Sequence, residues 1–404
     1  MKKLLILAFA ALLVIAFSMP AAAVENVFGG YWRTRAFSTT NFSGDDTESM
    51  DHTWVDTRTR LYYTAIINDN LKFVNKFEHD AQWGDQGYGD IGTDGKGLFE
   101  IKHVYADFNV GAWTFNVGAQ GFTLARGFII DDDAIGLKAI YKAETFVIPI
   151  AWIKVYEGGT GQDANDSDVD MYAILPTFAL SETMSINPYI AYLTSTDVDA
   201  YMGYPVTTDA EVTATAIGAD LNGSLGAASI WASLIMQTGD IGDSSLGGML
   251  AAFGGSFGGL GVPLRGQIMY ATGDDDATDD DIANYFVAPG ACYYWSEIMG
   301  YGTFDWDVSN GSPGCGITNI TAINVGTSFS VSDKATLNVD LWNASLNEEN
   351  AAGDTALGTE IDLKLTYKLI EGMNLDVVAA YLSAGDATGD ENPMELGTRL
   401  SMSF

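Results

Sequence analysis

Cysteine, proline and histidine are scarce in this chain, which has two, nine and three of them in 404 residues. No zinc-ligand spacing, catalytic Ser-His-Asp pattern or phosphate-binding glycine motif accompanies the three histidines, so we expect neither an enzyme nor a bound cofactor or metal. Beyond the first 23 residues, no segment reaches 18 unbroken apolar residues. That absence argues against a helical membrane protein.

Positive charge is also scarce. The chain carries 19 lysines and arginines against 53 acidic residues, for a formal net charge of −34. Nucleic-acid binding needs a basic footprint, so we expect no nucleic-acid partner. The acidic excess suits long loops that face water.

The N-terminus has the order of parts of a secretory signal peptide. Lys2 and Lys3 precede an apolar run over residues 4–17, and three alanines at 21–23 supply a small-residue cleavage site. The apolar run is short for an uncleaved anchor, which needs about 20 residues. We therefore assign residues 1–23 to a cleaved signal peptide and residues 24–404 to one mature domain.

Most of the mature chain alternates apolar and polar residues. In residues 360–368, Ile361, Leu363 and Leu365 share one face, while Asp362 and Lys364 share the other. Short turns rich in Asn, Asp and Gly alternate with longer acidic, Gly-rich loops. This asymmetry is typical of a single transmembrane antiparallel β-barrel with short periplasmic turns and long extracellular loops, an all-β fold.

Eight short turns and nine long loops predict 18 strands. Sixteen is an alternative because the glycine-rich residues 226–273 are ambiguous, and a soluble sandwich or solenoid is the competing fold. The predicted strands are 27–38, 52–67, 70–83, 98–110, 112–122, 134–143, 145–157, 167–179, 183–195, 210–222, 226–239, 244–257, 260–273, 317–331, 335–347, 355–369, 373–386 and 393–404.

Basic residues are concentrated on predicted strands 1–3, 16 and 18, which barrel closure makes into one arc of the wall. Their spacing of two or four puts each set on one face of its strand. A charge on the lipid face costs about 2–4 kcal/mol at the midplane, so we expect these side chains to line the lumen. The alternative role is local ion pairing with Asp56, Glu78 and Glu360, which would stabilise the wall. The residues are Arg33, Arg35, Arg58, Arg60, Lys72, Lys76, Lys364, Lys368 and Arg399.

The third long loop, about residues 123–133, ends in Asp131, Asp132 and Asp133 after an apolar stretch. If the loop folds inward, these carboxylates face the basic arc and create a field across the constriction, as charged walls do in selective pores. The alternative is a solvated outer loop, the usual role of a charge run.

The long loop at 274–316 contains both cysteines. In an oxidising location Cys292 and Cys315 are expected to form a disulfide. Clustered aspartates in the same loop offer hard oxygens to Ca²⁺, although a solvated loop is the simpler interpretation. These weak calcium candidates are Asp274, Asp275, Asp276, Asp279, Asp280 and Asp281.

The plan resembles the Gram-negative outer-membrane porin superfamily. The resemblance is carried by the signal peptide, the alternating strands, the acidic third loop opposite a basic wall, and the terminal Leu400 to Phe404. It implies that Phe404 belongs to the signal read by the barrel-assembly machinery, that loop 3 narrows the channel, and that homotrimers are common.

From these features we expect a porin in the cell outer membrane, surrounded by its lipids and lipopolysaccharide, that passes small hydrophilic solutes and ions by passive diffusion. A substrate-specific channel for organic anions or saccharides, and a structural or adhesive barrel plugged by its loops, are the alternatives.

Overall fold

A computed structural model describes residues 24–45, 51–84, 98–157, 168–195, 211–276 and 281–404. The expected signal peptide lies outside the described residues, so the division at residue 23 stays a prediction. In the described part of the chain, no helix is long and apolar enough to cross a membrane.

The described chain is almost entirely β-structure, with one 3₁₀ turn at Ala125–Gly127. The strands are β1 Glu25–Thr40, β2 His52–Asn68, β3 Leu71–Gln82, β4 Leu98–Val110, β5 Trp113–Leu124, β6 Ile130–Lys142, β7 Phe146–Tyr156, β8 Val169–Ile174, β9 Thr177–Ala179, β10 Met184–Ser195, β11 Val212–Leu225, β12 Ala228–Ile241, β13 Ser244–Leu246, β14 Met249–Phe257, β15 Leu264–Ala271, β16 Asp281–Ile282, β17 Ile320–Ser332, β18 Ala335–Leu346, β19 Ala356–Ile370, β20 Met373–Ala384 and β21 Met394–Ser403.

These strands form one closed antiparallel barrel of 18 wall strands. β8 and β9 share one wall position between β7 and β10, and β13 continues into β14 beside β12. The short β16 pairs with β13 in parallel. The prediction of an all-β barrel with 18 strands is confirmed, and the sixteen-strand alternative is wrong.

The ring closes where β21 pairs with β1. The amide of Gly30 donates to the carbonyl of Phe404 at 2.9 Å, and the amide of Phe404 donates back at 3.2 Å. Gly30 has room for no side chain, because a Cβ there would lie 2.8 Å from the Arg60 carbonyl and 2.4 Å from the Phe404 ring. The last residue of the chain is thus part of the seam.

The outer face of the wall is apolar. Exposed side chains on it include Phe28, Ile135, Met236, Val325 and Leu396. Because successive side chains of a strand point to opposite faces, the residues between them point into the lumen, as in a barrel wall that faces lipid on one side.

One hairpin leaves the wall and folds into the lumen. The pairing of β4 with β5 ends at Val104 and Ala119, and the pairing of β6 with β7 ends at Ile135 and Lys154. Residues 120–134 therefore pair only with each other. At the point of departure the backbones come close: a Cβ on Gly118, whose φ is +132°, would lie 2.2 Å from the Val104 carbonyl oxygen.

The lumen is filled mainly on one side. The inner faces of β7 to β15 are apolar, and they pack against the inward hairpin and against residues 285–299. The wall residues in this core include Ala151, Ile153, Met171, Ala173, Tyr189, Ala191, Leu193, Ala214, Ala216, Ile235, Leu250 and Met269. The inner faces of β17 to β21 and β1 to β4 are mainly polar. At the long-loop end, apolar residues of β17 to β20 join the same core: Ile320, Ala322, Trp342, Ala344, Leu357, Ala380 and Leu382.

The third loop is shorter than the sequence predicts. β5 extends to Leu124 and β6 begins at Ile130, so Asp131, Asp132 and Asp133 belong to a strand. The physical reason is cross-strand pairing: once the hairpin leaves the wall, its two arms satisfy their backbone groups with each other down to the tip.

We expect Gly30→Val to weaken barrel closure, because the new side chain clashes with the fixed Arg60 carbonyl and overpacking costs about 1–3 kcal/mol. The urea concentration at which refolded protein in detergent micelles unfolds should fall. Gly247→Ala is the control, since a Cβ there meets nothing within 4 Å. Equal midpoints for the two variants would show that the seam tolerates a side chain.

Candidate functional site

The candidate site is the polar half of the inner face. It begins with two arginines of β1, whose positions lie opposite β2 and β21 in the sheet. Arg35 Nη2 lies 2.6 Å from Asp56 Oδ2, and Nη1 also pairs with Asp305. Arg33 Nη2 lies 3.3 Å from Asp305 Oδ1. Both arginines are thus neutralised, partly by a carboxylate from outside the wall.

The next pair of arginines, on β2, is neutralised by β3. Arg58 Nη2 lies 2.6 Å from Asp80 Oδ2, and Arg60 pairs with Glu78, which is 1% exposed. The side chains of Arg58 and Arg60 keep 22% and 25% of their surface exposed. Lys102 joins this network 3.8 Å from Glu78. The row therefore combines local pairing with contact to the lumen.

Arginines on β21 and β15 also pair with carboxylates of other wall strands. Arg399 Nη2 lies 2.8 Å from Asp376 Oδ2. Arg265 on β15 pairs with Asp340 on β18, and its side chain is 33% exposed. All five arginines predicted to line the lumen are thus on the inner face, each beside a carboxylate.

The four predicted lysines have looser partners. Lys72 and Lys76 lie on the inner face of β3, in register with β4. Lys364 Nζ lies 3.1 Å from the Thr303 hydroxyl. Lys368 lines a cavity of about 420 Å³ at the short-turn end of the barrel, where β19 meets β20.

In the described part of the chain, no ion pair joins the predicted acidic triplet to an arginine. Asp133 contacts Lys102 at 3.2 Å and His103 Nε2 at 2.8 Å, both on β4. Asp131 accepts a hydrogen bond from the Thr123 hydroxyl, and Asp132 is exposed. Asp133 lies near the base of the hairpin, opposite Gly121, whereas Asp131 lies one pair from the tip, opposite Thr123.

The carboxylate that faces Arg33 and Arg35 comes instead from the long connection between β16 and β17. Asp305 stands at φ +38°, and the carbonyl of the preceding Phe304 also accepts from Arg35. The Phe304 ring stacks on Phe37 with centroids 4.7 Å apart. These contacts dock this part of the connection, residues 292–315, which we name the lumen segment, on the wall near the middle of β1.

A buried carboxylate on β19 holds the other arm of the lumen segment. Glu360 is 0% exposed, and its two oxygens accept the amides of Ile298 at 2.7 Å and Met299 at 3.0 Å. Asp362 accepts the amide of Glu297 at 3.3 Å. Backbone amides of the segment thus take the place of a basic partner.

A disulfide joins Cys292 and Cys315 at the two ends of the lumen segment. Beside it, Tyr285 donates a hydrogen bond to the carbonyl of Phe128 at 3.1 Å, and Tyr293 donates to Gln267 at 2.9 Å. Burial raises the pKa of Tyr285 and of Tyr293, so both hydroxyls remain protonated donors. Tyr293 ties the lumen segment to β15, and Tyr285, which precedes the segment, binds the inward hairpin.

Below the lumen segment lies a cavity of about 790 Å³. Its roof includes Tyr294, Glu297 and Thr303, and its wall is lined by polar side chains of β15 and β17 to β21. Among the wall residues are Arg265, Asn324, Asp340, Lys364, Asp376 and Arg399. A polar cavity of this size holds water and small hydrophilic molecules.

The calcium candidates that the structure describes, Asp274, Asp275, Asp276 and Asp281, do not form a group of three carboxylates that could share an ion. Asp279 and Asp280 lie outside the described residues, and the Asp281 carboxylate accepts from the Ser245 hydroxyl at 3.0 Å. In the described ranges, the carboxylates close enough to share an ion are instead Glu78, Asp80 and Glu100. Arg58, Arg60 and Lys102 already neutralise that group.

Sequence reasoning named Asp56 and Glu78 as partners of the arginines and missed Asp80, Asp305, Asp340 and Asp376. Glu360, the third partner that it named, accepts backbone amides instead. Asp80 could have been located, because counting outward from the tight turn at Asn68 to Asn70 places Arg58 opposite Asp80 and Arg60 opposite Glu78. No such count reaches Asp305, because a long loop sets no register.

No known protein-family model matches the chain, and no curated protein matches it. Solved structures do. Pseudomonas aeruginosa OpdO has a TM-score of 0.61 at 11% identity, with 94% of this chain and 97% of that chain covered. OccK8 (OprE) of the same organism has a TM-score of 0.60 at 12% identity, with 94% of this chain and 98% of that chain covered. OpdK of the same organism, solved with vanillate, has a TM-score of 0.59 at 11% identity, with 93% of this chain and 98% of that chain covered. At these identities the likeness shows the fold alone, and the expected closed antiparallel β-barrel is confirmed.

We expect Glu360→Gln to loosen the lumen segment, because an amide side chain turns a donor toward one of the two backbone amides that the carboxylate accepts. A lost charge-assisted hydrogen bond is worth about 1.5–3 kcal/mol, so the amides of Ile298 and Met299 should exchange hydrogen for deuterium about tenfold faster or more. Glu371→Gln, in an exposed turn, is the control. Unchanged exchange would show that the segment is held without Glu360.

Proposed function

We propose that the chain forms a water-filled channel in the outer membrane, through which small hydrophilic solutes and ions diffuse passively along the polar half of the lumen. The observation that carries the proposal is the partial exposure of paired charges inside a barrel with an apolar outer face. Arg58, Arg60 and Arg265 keep 22 to 33% of their side-chain surface accessible. Charges left exposed inside a closed wall need water beside them.

The proposed location follows from the same wall. A closed barrel satisfies every backbone group internally, and its apolar exterior suits a lipid environment. The proposal includes export by the segment 1–23, insertion by the barrel-assembly machinery through the strand that ends at Phe404, contact with lipopolysaccharide and other outer-membrane lipids, and assembly as a homotrimer.

A substrate-specific channel is the second candidate. The inward hairpin and the lumen segment occupy much of the lumen and leave polar cavities of limited size. Such a lumen favours solutes that match its walls over general diffusion. A plugged structural barrel is the third candidate, and the exposed inner charges weigh against it.

Planar-bilayer recording of the purified protein tests the channel. Stepwise conductance in KCl is the expected result, and silence at all voltages would favour the plugged barrel. Adding single solute classes then separates the other two candidates, because a specific channel shows saturable current block and a general one does not.

We expect Arg58→Gln/Arg60→Gln to make the channel more cation-selective. Removing two positive charges leaves Glu78 and Asp80 less compensated, so the potassium-to-chloride permeability ratio from reversal potentials in a KCl gradient should rise about twofold or more. Asp305→Asn should move the ratio the other way, since Arg33 and Arg35 lose a shared carboxylate.

The matched control is Arg58→Lys/Arg60→Lys, which preserves the charge and should preserve the ratio. An unchanged ratio in the glutamine variant, with normal conductance, would contradict a role of this row in selectivity.

A further inference from the structure

Arg126 differs from every other arginine of the chain. All seven arginines lie in the described ranges, and six of them form an ion pair there. For Arg126, no carboxylate oxygen of the described residues lies within 4.0 Å of a guanidinium nitrogen. Arg126 thus has no direct ion pair among the described residues, and the nearest charge that acts on it is the more distant carboxylate of Asp220.

Arg126 lies on strained backbone. It stands at the tip of the inward hairpin, where Ala125 has φ +51° and Arg126 has φ +59°. Two consecutive non-glycine residues in the left-handed region cost about 1–3 kcal/mol each, and such strain collects at functional sites. Buried Leu124 and Phe128 fix the backbone on either side.

The guanidinium contacts an aromatic ring, and only some of its N–H donors have hydrogen-bond partners. Its carbon lies 4.7 Å from the centre of the Trp231 ring, a cation–π contact. Nη2 donates to the Asn222 side chain and, at 3.4 Å, to the Leu221 carbonyl. Nε is buried without a partner, and Nη1 donates no hydrogen bond to any described residue. Donors therefore remain for a ligand.

Arg126 borders a cavity of about 670 Å³ at the short-turn end of the barrel. Hydroxyl groups dominate its polar lining, which includes Ser181, Thr183, Ser185, Ser224 and Ser229. One carboxylate, Glu182, also lies on its edge. The cavity is separate from the one below the lumen segment, since the two share no lining residue.

We propose that this cavity binds the oxyanion of a small hydroxylated solute, with Arg126 as the anion-binding residue and the serine and threonine hydroxyls as partners for the solute's own hydroxyls. The proposal rests on the proposed channel function and identifies a class of solute for it. A planar guanidinium suits both carboxylate and phosphate oxygens, and a paired arginine of the wall would first have to give up its own carboxylate.

The first experiment is isothermal titration calorimetry on the full-length protein in detergent micelles, with sodium gluconate and inorganic phosphate as probes and sorbitol as the uncharged counterpart of gluconate. Gluconate should bind and sorbitol should not. Phosphate binding as strong as that of gluconate would leave the oxyanion assignment in place and remove the hydroxyl contribution. Equal heats for gluconate and sorbitol would overturn the proposal.

The variants assign the site. Arg126→Gln should weaken gluconate binding about tenfold or more, the usual effect of losing a charge-assisted hydrogen bond. Lys334→Gln is the matched control, since it removes one positive charge from an exposed short turn at the same end of the barrel, and it should leave the affinity within about twofold of the wild type. Equal losses in the two variants would overturn the proposal.

A second variant covers the case in which Arg126→Gln displaces the hairpin tip, which hydrogen exchange at Phe128 and Ile129 would reveal. Glu182→Gln removes a negative charge from the cavity edge without touching the hairpin, so gluconate should bind about twofold more tightly. Unchanged or weaker binding in this variant contradicts an anion site here.

Current block in planar bilayers then connects the site to transport. Gluconate should interrupt the potassium current of the wild type at concentrations that match its calorimetric affinity. Calorimetric binding without any conductance would refute the channel and preserve the anion site, whereas conductance without gluconate binding would do the reverse.

Discussion

The structure depends on closing the sheet. A wall that faces lipid has no water to satisfy its backbone amides and carbonyls, so an open edge is not tolerated and the last strand must find the first. Here that seam consists of two hydrogen bonds between Gly30 and Phe404 and the pairing above them. Closure fixes strand count and register, and register in turn brings Arg35 beside Asp56 and Arg58 beside Asp80.

Within the closed wall, one part of the lumen is lined mainly by apolar side chains and the other mainly by charged and polar ones. Small and apolar side chains line β7 to β15, and the inward hairpin brings Phe122, Phe128 and Ile130 to cover them. Hydrophobic burial therefore acts inside a barrel whose outer face also avoids water. The part of the lumen that is less filled carries the charged side chains, so in the proposed channel the path of water and solutes would be set by where the apolar filling stops.

The strands of the wall could be predicted from the sequence, whereas the folding of the inward hairpin and the lumen segment into the lumen could not. Period-two alternation and turn residues located all 18 strands to within a few residues, because lipid on one side imposes a strict pattern. Near Ala151 and Ala191 the alternation is a weaker indication of strands, because apolar residues occupy both faces there. The placement of Asp305 and Arg126 could not be predicted, because it depends on how loops fold into the lumen and no periodicity governs that.

The pairing of the arginines with neighbouring carboxylates has a consequence for how a solute is captured. Opposite charges a few ångströms apart form dipoles, whose field falls off faster than that of a single charge, and salt shortens its range further. An ion approaching the barrel mouth is therefore not steered toward this wall from a distance, as it would be by a surface of one sign. Encounter is left to diffusion, and discrimination begins only when the ion is close enough to compete for an individual guanidinium or carboxylate.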